Sequence, residues 1–158
     1  MVRRLTMEQG LQVVLSGEAG DAELIAGIIR ESGASVTSVH SLAGELDLGK
    51  LGAAIALAPV FVSNNTGPAH IAAALGTPVV DLYALTNPQH TPWQVESRVL
   101  FHDVPCRYCY KSVCPEGHHR CLAGVEPERV VAAVRSLLDG PRRVGNLGDT
   151  WGGPGGKP

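Results

Sequence analysis

Phe61-Val62-Ser63-Asn64-Asn65-Thr66-Gly67-Pro68-Ala69-His70, followed by Ile71-Ala72-Ala73-Ala74-Leu75-Gly76-Thr77-Pro78-Val79-Val80, is the stretch from which the fold can be read. A compact apolar run, Val60 to Val62, feeds a polar turn over Asn64 to Pro68. The turn opens a helix over Ala69 to Leu75, Gly76 stops it, and Pro78 to Leu82 forms the next apolar run. In open α/β sheets ligands sit beyond the carboxyl ends of the strands, where unpaired amides at a helix start face them. Gly67 lets backbone approach an anion closely, and Pro68 suits a first helical turn because no N–H is lost there. Thr66 can cap the helix or donate its hydroxyl, and His70 falls beside whatever is bound. Taken locally, the same residues also describe ordinary turn and cap chemistry, with His70 a satisfied polar residue.

Outward from this turn the same alternation recurs. Residues 11–16 are a short apolar run ending at Gly17, and Asp21 precedes a helical pattern of Leu24, Ile25, Ile28 and Ile29 that Gly33 stops. Ala34 to Val39 offers a weak strand, Leu46 to Leu57 a second helix closed by Pro59, and Val130, Val131, Val134, Leu137 and Leu138 a closing helix over Pro127 to Leu138. Strands apolar on both faces and alternating with helices predict an α/β fold, a parallel sheet covered by helices on both faces. The domain is expected over residues 1–140. The Gly/Pro-rich tail, 141–158, has almost no apolar periodicity and is expected to be disordered.

Composition narrows the function classes. The chain has 158 residues, 44% of them hydrophobic, and 13 Lys and Arg against 15 Asp and Glu give a net charge of −2. That balance argues against a nucleic-acid or acidic-membrane surface, which draws on clustered cations. Arg3-Arg4 and Arg142-Arg143 read as isolated, solvated pairs. The longest apolar run, Leu51 to Val62, is interrupted by Gly52 and Pro59 and is too short for a transmembrane helix. Residues 1–15 lack the apolar core of a secretory signal, so a cytoplasmic location is expected.

Residues 84–124 break the pattern. This excursion has no sustained period but holds all four cysteines, four of the six histidines, and Trp93, Phe101, Tyr108 and Tyr110. Its length and aromatic content predict an ordered lobe. Cys106, Cys109, Cys114 and Cys121 fall within 16 residues, and the first pair has the two-residue spacing of zinc ligands. A domain of this length can bury roughly 68–70% of its unfolded surface without metal. A compact thiol-bearing loop is therefore the expectation, with zinc as one alternative and an iron–sulfur cluster as another. Packing of the loop is expected of Trp93, Tyr108 and Tyr110 ahead of stacking on a base or sugar. His90 and His102 read as surface groups.

With Leu-Tyr-Ala-Leu-Thr-Asn-Pro (82–88) added, the Asn65-Thr66-Gly67 turn, its helix and the next strand resemble the C-terminal domain of the family 9 glycosyltransferases. These include the ADP-heptose:lipopolysaccharide heptosyltransferases. The resemblance runs from about residue 11 to 139 and takes in the Val-Leu-Ser-Gly turn and the Cys-Arg-Tyr-Cys segment. It implies a GT-B enzyme with two Rossmann-like halves, of which this is the half that holds the nucleotide-sugar donor. Thr66 and Gly67 would contact the donor pyrophosphate with His70 close by, Asp21 falls where the family places an acidic ribose contact, and Thr86 and Pro88 would shape the next turn at the cleft. The family commonly has Asp before Thr-Gly; Asn65 keeps the hydrogen bonding and loses the charge. The resemblance further implies inverting transfer from a donor such as ADP-heptose to a glycan or lipid-linked sugar. The catalytic base and the acceptor site lie on an N-terminal half not found in this sequence. The isolated chain would then bind donor without transferring sugar and could self-associate through the face that meets its partner half. No cofactor is implied, and no Asp-x-Asp motif occurs in the chain, in keeping with metal-independent transfer. A non-catalytic module with a zinc-stabilised interaction lobe is the alternative.

Overall fold

The computed structural model describes residues 1–85, 87–111 and 113–140. The expected tail, 141–158, with Arg142 and Arg143, lies outside them, as does Thr86. In chain order the elements are β1 (Val13–Leu15), α1 (Ala22–Ser32), β2 (Val39–Ser41), α2 (Leu48–Leu57), β3 (Phe61–Asn64), α3 (Gly67–Leu75), β4 (Val79–Leu82), β5 (Ser97–Leu100), α4 (Arg120–Ala123) and α5 (Pro127–Leu138). Every strand pairing is parallel, β1 with β2 and β4 between β3 and β5. The expected single sheet is thus two ladders. Val13 of the first and Val62, Val80 and Leu82 of the second share one apolar cluster.

That cluster lies on one face, where Val130, Val131, Val134 and Leu137 of α5 meet Val80 and Leu100. On the other face Ile55 of α2 and Ala69 and Ala72 of α3 meet Phe61 and Val79. Side chains alternate across a strand, so Phe61 and Val79 turn to α2 and α3 while Val62 and Val80 turn to α5. Ala69 and Ala72 are 0% exposed, which brings α3 close to the sheet. Buried Thr77 donates to the Ile55 carbonyl at 3.0 Å and fastens the end of α2 to the start of β4.

The helix ends follow local chemistry. Asp47 accepts from the Lys50 amide at 2.8 Å and starts α2 two residues later than Leu46. Gly33 (φ +64°) and Gly76 (φ +73°) close α1 and α3 in the left-handed region, where a side chain would be strained.

Three expectations are corrected. The strand set at Ala34 to Val39 begins only at Val39, because the Ser35 hydroxyl meets those of Thr37 and Ser38 at 2.7 and 3.0 Å and turns the backbone instead. The excursion contains β5, a strand that exists because β4 offers it an unpaired edge, and the short helix α4. Arg4 is not merely solvated: it lies in a π-helical turn, Arg4–Glu8, that buries Leu5 against α5 and pairs Arg4 with Glu128.

The Ala72 position admits no larger side chain without displacing α3. Ala72→Leu is expected to destabilise the chain by about 1–3 kcal/mol, measured by urea unfolding. An equal substitution at exposed Ala74 should have a far smaller effect.

Candidate functional site

The β3–α3 turn is built from a strand that ends before its helix is capped. The Asn65 amide still donates to the Leu82 carbonyl at 3.3 Å, extending the ladder one residue past β3. Thr66 then stands extended (φ −139°, ψ −179°) as the residue before α3, but its side chain does not cap the helix. Its hydroxyl donates back to the Asn64 carbonyl at 3.3 Å. A Cβ at Gly67 would meet nothing within 4 Å, so the fold leaves the space over this residue open. Pro68 has no N–H and the Ala69 amide donates to the Thr66 carbonyl at 3.0 Å, so the start of α3 presents the Gly67 amide, with the positive end of the helix dipole behind it, toward an open space. His70 is exposed on the first turn of α3. Asn65, Thr66, Gly67 and His70 are thus held together as one unit, suited to an anion such as a diphosphate.

The residue holding this unit was not singled out from the sequence. Asp81, at the carboxyl end of β4, is 0% exposed and sits on the same face as Val79. The Asn65 side-chain amide donates to Asp81 Oδ2 at 3.1 Å and to the His90 carbonyl at 2.6 Å. One amide group thus ties the turn to the central strand and to the 3-10 turn Pro88–His90, itself capped by Asn87. Burial pushes the Asp81 carboxyl up to about 6, against the lowering effect of the Asn65 bond. Its Oδ1 has no hydrogen-bond partner among the described residues. The available signal was an acid inside the otherwise apolar run Pro-Val-Val-Asp-Leu.

Asp21 closes a different turn, the one after β1. Its Oδ2 accepts from the Glu18 amide at 2.9 Å, and it lies so near Gly17 that a Cβ there would come within 2.8 Å. Among the described residues no hydrogen bond joins Asp21 to the Asn65–Gly67 turn.

The cysteine lobe forms a second cavity. Cys106, Cys109, Cys114 and Cys121 are free, half-buried thiols, and all four line a space of about 140 Å³ with His118 and His119. The backbone amide of His119, helped by those of residues 116–118, holds the Cys114 thiol below the usual range against its desolvation. Burial foremost raises the Cys121 thiol, with Cys114 and Cys106 adding to the effect. Phe101 packs in this lobe beside Tyr83, Leu85 and Val104. Trp93, 76% exposed, Tyr110, 67% exposed, and Tyr108, 44% exposed, do not, so loop packing fails to account for them. His90 and His102 are exposed, as expected.

Residues 1–120 match the glycosyltransferase family 9 (heptosyltransferase) family, and the chain belongs to it. It is similar to lipopolysaccharide heptosyltransferase 2 of Escherichia coli K12, at 34% identity over 137 residues, covering 84% of this chain and 38% of that protein. It is also similar to lipooligosaccharide heptosyltransferase 2 of Campylobacter jejuni serotype O:6, at 29% identity over 140 residues, covering 84% of this chain and 43% of that one. Among solved structures it resembles E. coli ADP-heptose LPS heptosyltransferase II, with a TM-score of 0.68 and 30% identity over 87% of this chain and 39% of that one. The family 9 glycosyltransferase of Veillonella parvula superposes with a TM-score of 0.72 at 27% identity, over 87% and 39% of the two chains. The chain thus spans about two-fifths of the length of these relatives. The α/β expectation and its GT-B relationship hold. Among the described residues no helix is long and apolar enough to cross a membrane.

A carboxyl raised in the folded state stabilises the fold while protonated, and that contribution fades as pH climbs through the folded value. Relative to Asp81→Asn, the wild-type chain should therefore lose stability between about pH 4 and pH 6, by on the order of 3 kcal/mol. Unfolding midpoints of the two proteins across this window check it. A difference that stays flat with pH would mean the carboxyl titrates normally.

Proposed function

We propose that this chain is the donor-binding part of an inverting, metal-independent glycosyltransferase that transfers heptose, or a closely related sugar, from a nucleotide diphosphate in lipopolysaccharide or cell-surface glycan synthesis. The observation that carries the reading is the uncapped start of α3 beneath the open space at Gly67, in a chain of this family. The names of its relatives support the choice of sugar and donor.

In this reading the diphosphate lies over Gly67. The Gly67 amide at the positive end of α3 donates to its oxygens, the Thr66 hydroxyl turns to them from the Asn64 carbonyl, and His70 stands at its flank. Asn65 acts indirectly, as the clamp that fixes the turn. The acceptor hydroxyl attacks the anomeric carbon from the face opposite the diphosphate, a base outside this chain takes its proton, and the bond to the diphosphate oxygen breaks with its electron pair. Negative charge grows on that oxygen as the bond breaks. The fixed Gly67 amide and the helix dipole stabilise it without reorganising, the role a metal ion fills in other transferases. Asp21 is assigned to the ribose and the donor to the adenine series. The acceptor is a glycan or lipid-linked sugar bound by the remaining three-fifths of a complete enzyme, so this chain by itself binds donor and does not transfer.

Calorimetric titration with ADP, UDP, GDP and ADP-heptose tests this. Saturable binding of ADP and ADP-heptose is expected, weakened at least tenfold, or about 1.4 kcal/mol, by Gly67→Val. Circular dichroism should show that the variant keeps its helices, because a side chain there meets nothing within 4 Å. Equal binding by Gly67→Val would remove the site from this turn.

A further inference from the structure

The lobe between β5 and α5 poses a physical problem that the transfer reaction does not answer. From Phe101 to His119 the described residues form no helix or strand, so ladder hydrogen bonds do not order the segment. Its own fully buried apolar content is Val104, set against Tyr83 and Leu85 from the end of β4. Fixing the backbone costs roughly 1–2 kcal/mol per residue, and one small cluster supplies little against so long a loop. The main domain folds on its two large cores. The lobe requires a fastening of its own.

Four sulfurs stand where a fastening would be. Cys106 and Cys121 belong to the buried cluster, Cys109 follows Cys106 by three positions, and all four cysteines line one cavity of about 140 Å³ without forming disulfides. The chain reverses after Cys114, with the Gly117 amide donating to the Cys114 carbonyl at 3.2 Å and Gly117 (φ +67°) and His119 (φ +48°) left-handed. The Cys121 carbonyl accepts from the His102 amide at 2.9 Å, which anchors the last sulfur at the end of β5.

His118 discriminates between ligand sets. Its Nδ1 accepts from the Arg120 amide at 3.1 Å, so the neutral ring carries its proton on Nε2. That Nε2 faces Cys106 Sγ at 3.8 Å. A protonated nitrogen donates to a sulfur but cannot ligate a metal, so His118 is an outer donor to Cys106, the usual support around a metal thiolate. Arg107 and Lys111 line the same cavity. Arg107 is paired with Asp103 at 2.6 Å, and Lys111 brings a further positive charge toward the net charge of −2 on a divalent ion held by four thiolates.

We propose that the lobe is a structural zinc centre with Cys106, Cys109, Cys114 and Cys121 as its four ligands and His118 as a hydrogen-bond donor to Cys106. As they stand, no three His, Cys, Asp or Glu side chains among the described residues converge tightly enough to hold a metal. Loading draws the sulfurs inward from the cavity wall to about 2.3 Å from the ion. Four thiols lose their protons to solvent, four Zn–S bonds form, and no oxidation state changes. The free energy of those bonds orders the loop. This centre is independent of the sugar-nucleotide site and takes no part in the transfer step.

Elemental analysis of the full chain, purified under reducing conditions without added metal, should find about one zinc per molecule. Cys109→Ser should lose it and His118→Ala should retain it. Because a cysteine variant can fail to fold, the wild-type chain supplies a second readout: chelator should expose four thiols to a colorimetric reagent, and Co²⁺ added to the stripped chain should give the thiolate charge-transfer and ligand-field bands of a tetrahedral sulfur site. Zinc below a tenth of an equivalent together with no cobalt spectrum would overturn the proposal. Iron in place of zinc, or loss of zinc from His118→Ala with retention by Cys109→Ser, would overturn the assignment as written.

Discussion

The burial of β4 is the constraint on which the rest of the structure rests. Val79, Val80 and Asp81 have no exposed surface, with β3 and β5 bonded on either side, α5 against one face and α2 and α3 against the other. A strand so enclosed fixes everything that touches it. Val79 sets how closely Ala69 and Ala72 bring α3, and that approach sets where the start of α3 points. Asp81 extends the constraint into the site, because a carboxylate with no water around it makes strong use of the one amide it meets. Asn65 answers, and through the His90 carbonyl it secures the neighbouring turn as well.

This arrangement suits a site whose task is to hold a charge that grows during reaction. Side-chain clamps that wrap an anion lose much of their advantage to solvent and to their own flexibility. Backbone amides at a helix start are already oriented, and here the scaffold beneath them is rigid. The absence of a side-chain cap on α3 would be a defect in a purely structural helix. It becomes intelligible where a ligand completes the helix. The amide of Asn65 brings the turn against a buried acid, Asp81, one layer beneath it.

The cysteine lobe follows a different logic from the domain that carries it. The domain is ordered by broad apolar faces, whereas the lobe has only a few anchored points of its own: Cys106 and Cys121 in a small cluster, the His102 amide on the Cys121 carbonyl, and the reversal after Cys114. β5 runs parallel to β3 and β4, so the lobe that follows it begins at the same carboxyl edge of the sheet as the Asn65–Gly67 turn.

Much of this was written in local patterns. The runs at Val60 and Pro78, the polar turn between them, the stops at Gly33 and Gly76 and the repeat of Val130, Val131, Val134 and Leu137 determine an α/β domain, because strand and helix periods and left-handed glycines are properties of neighbours in the chain. The Asn65-Thr66-Gly67-His70 grouping was equally legible, since its members fall within six residues. Tertiary structure alone decided what depended on distant partners. β5 is a strand because β4 offers it an edge, Ser35 to Ser38 turn because three hydroxyls meet, and Arg4 finds Glu128 across more than a hundred residues. Asp81 shows the same division most sharply: its position in the sequence says only that an acid interrupts an apolar run, while its burial and the amide it holds exist only once the two faces of the sheet are closed.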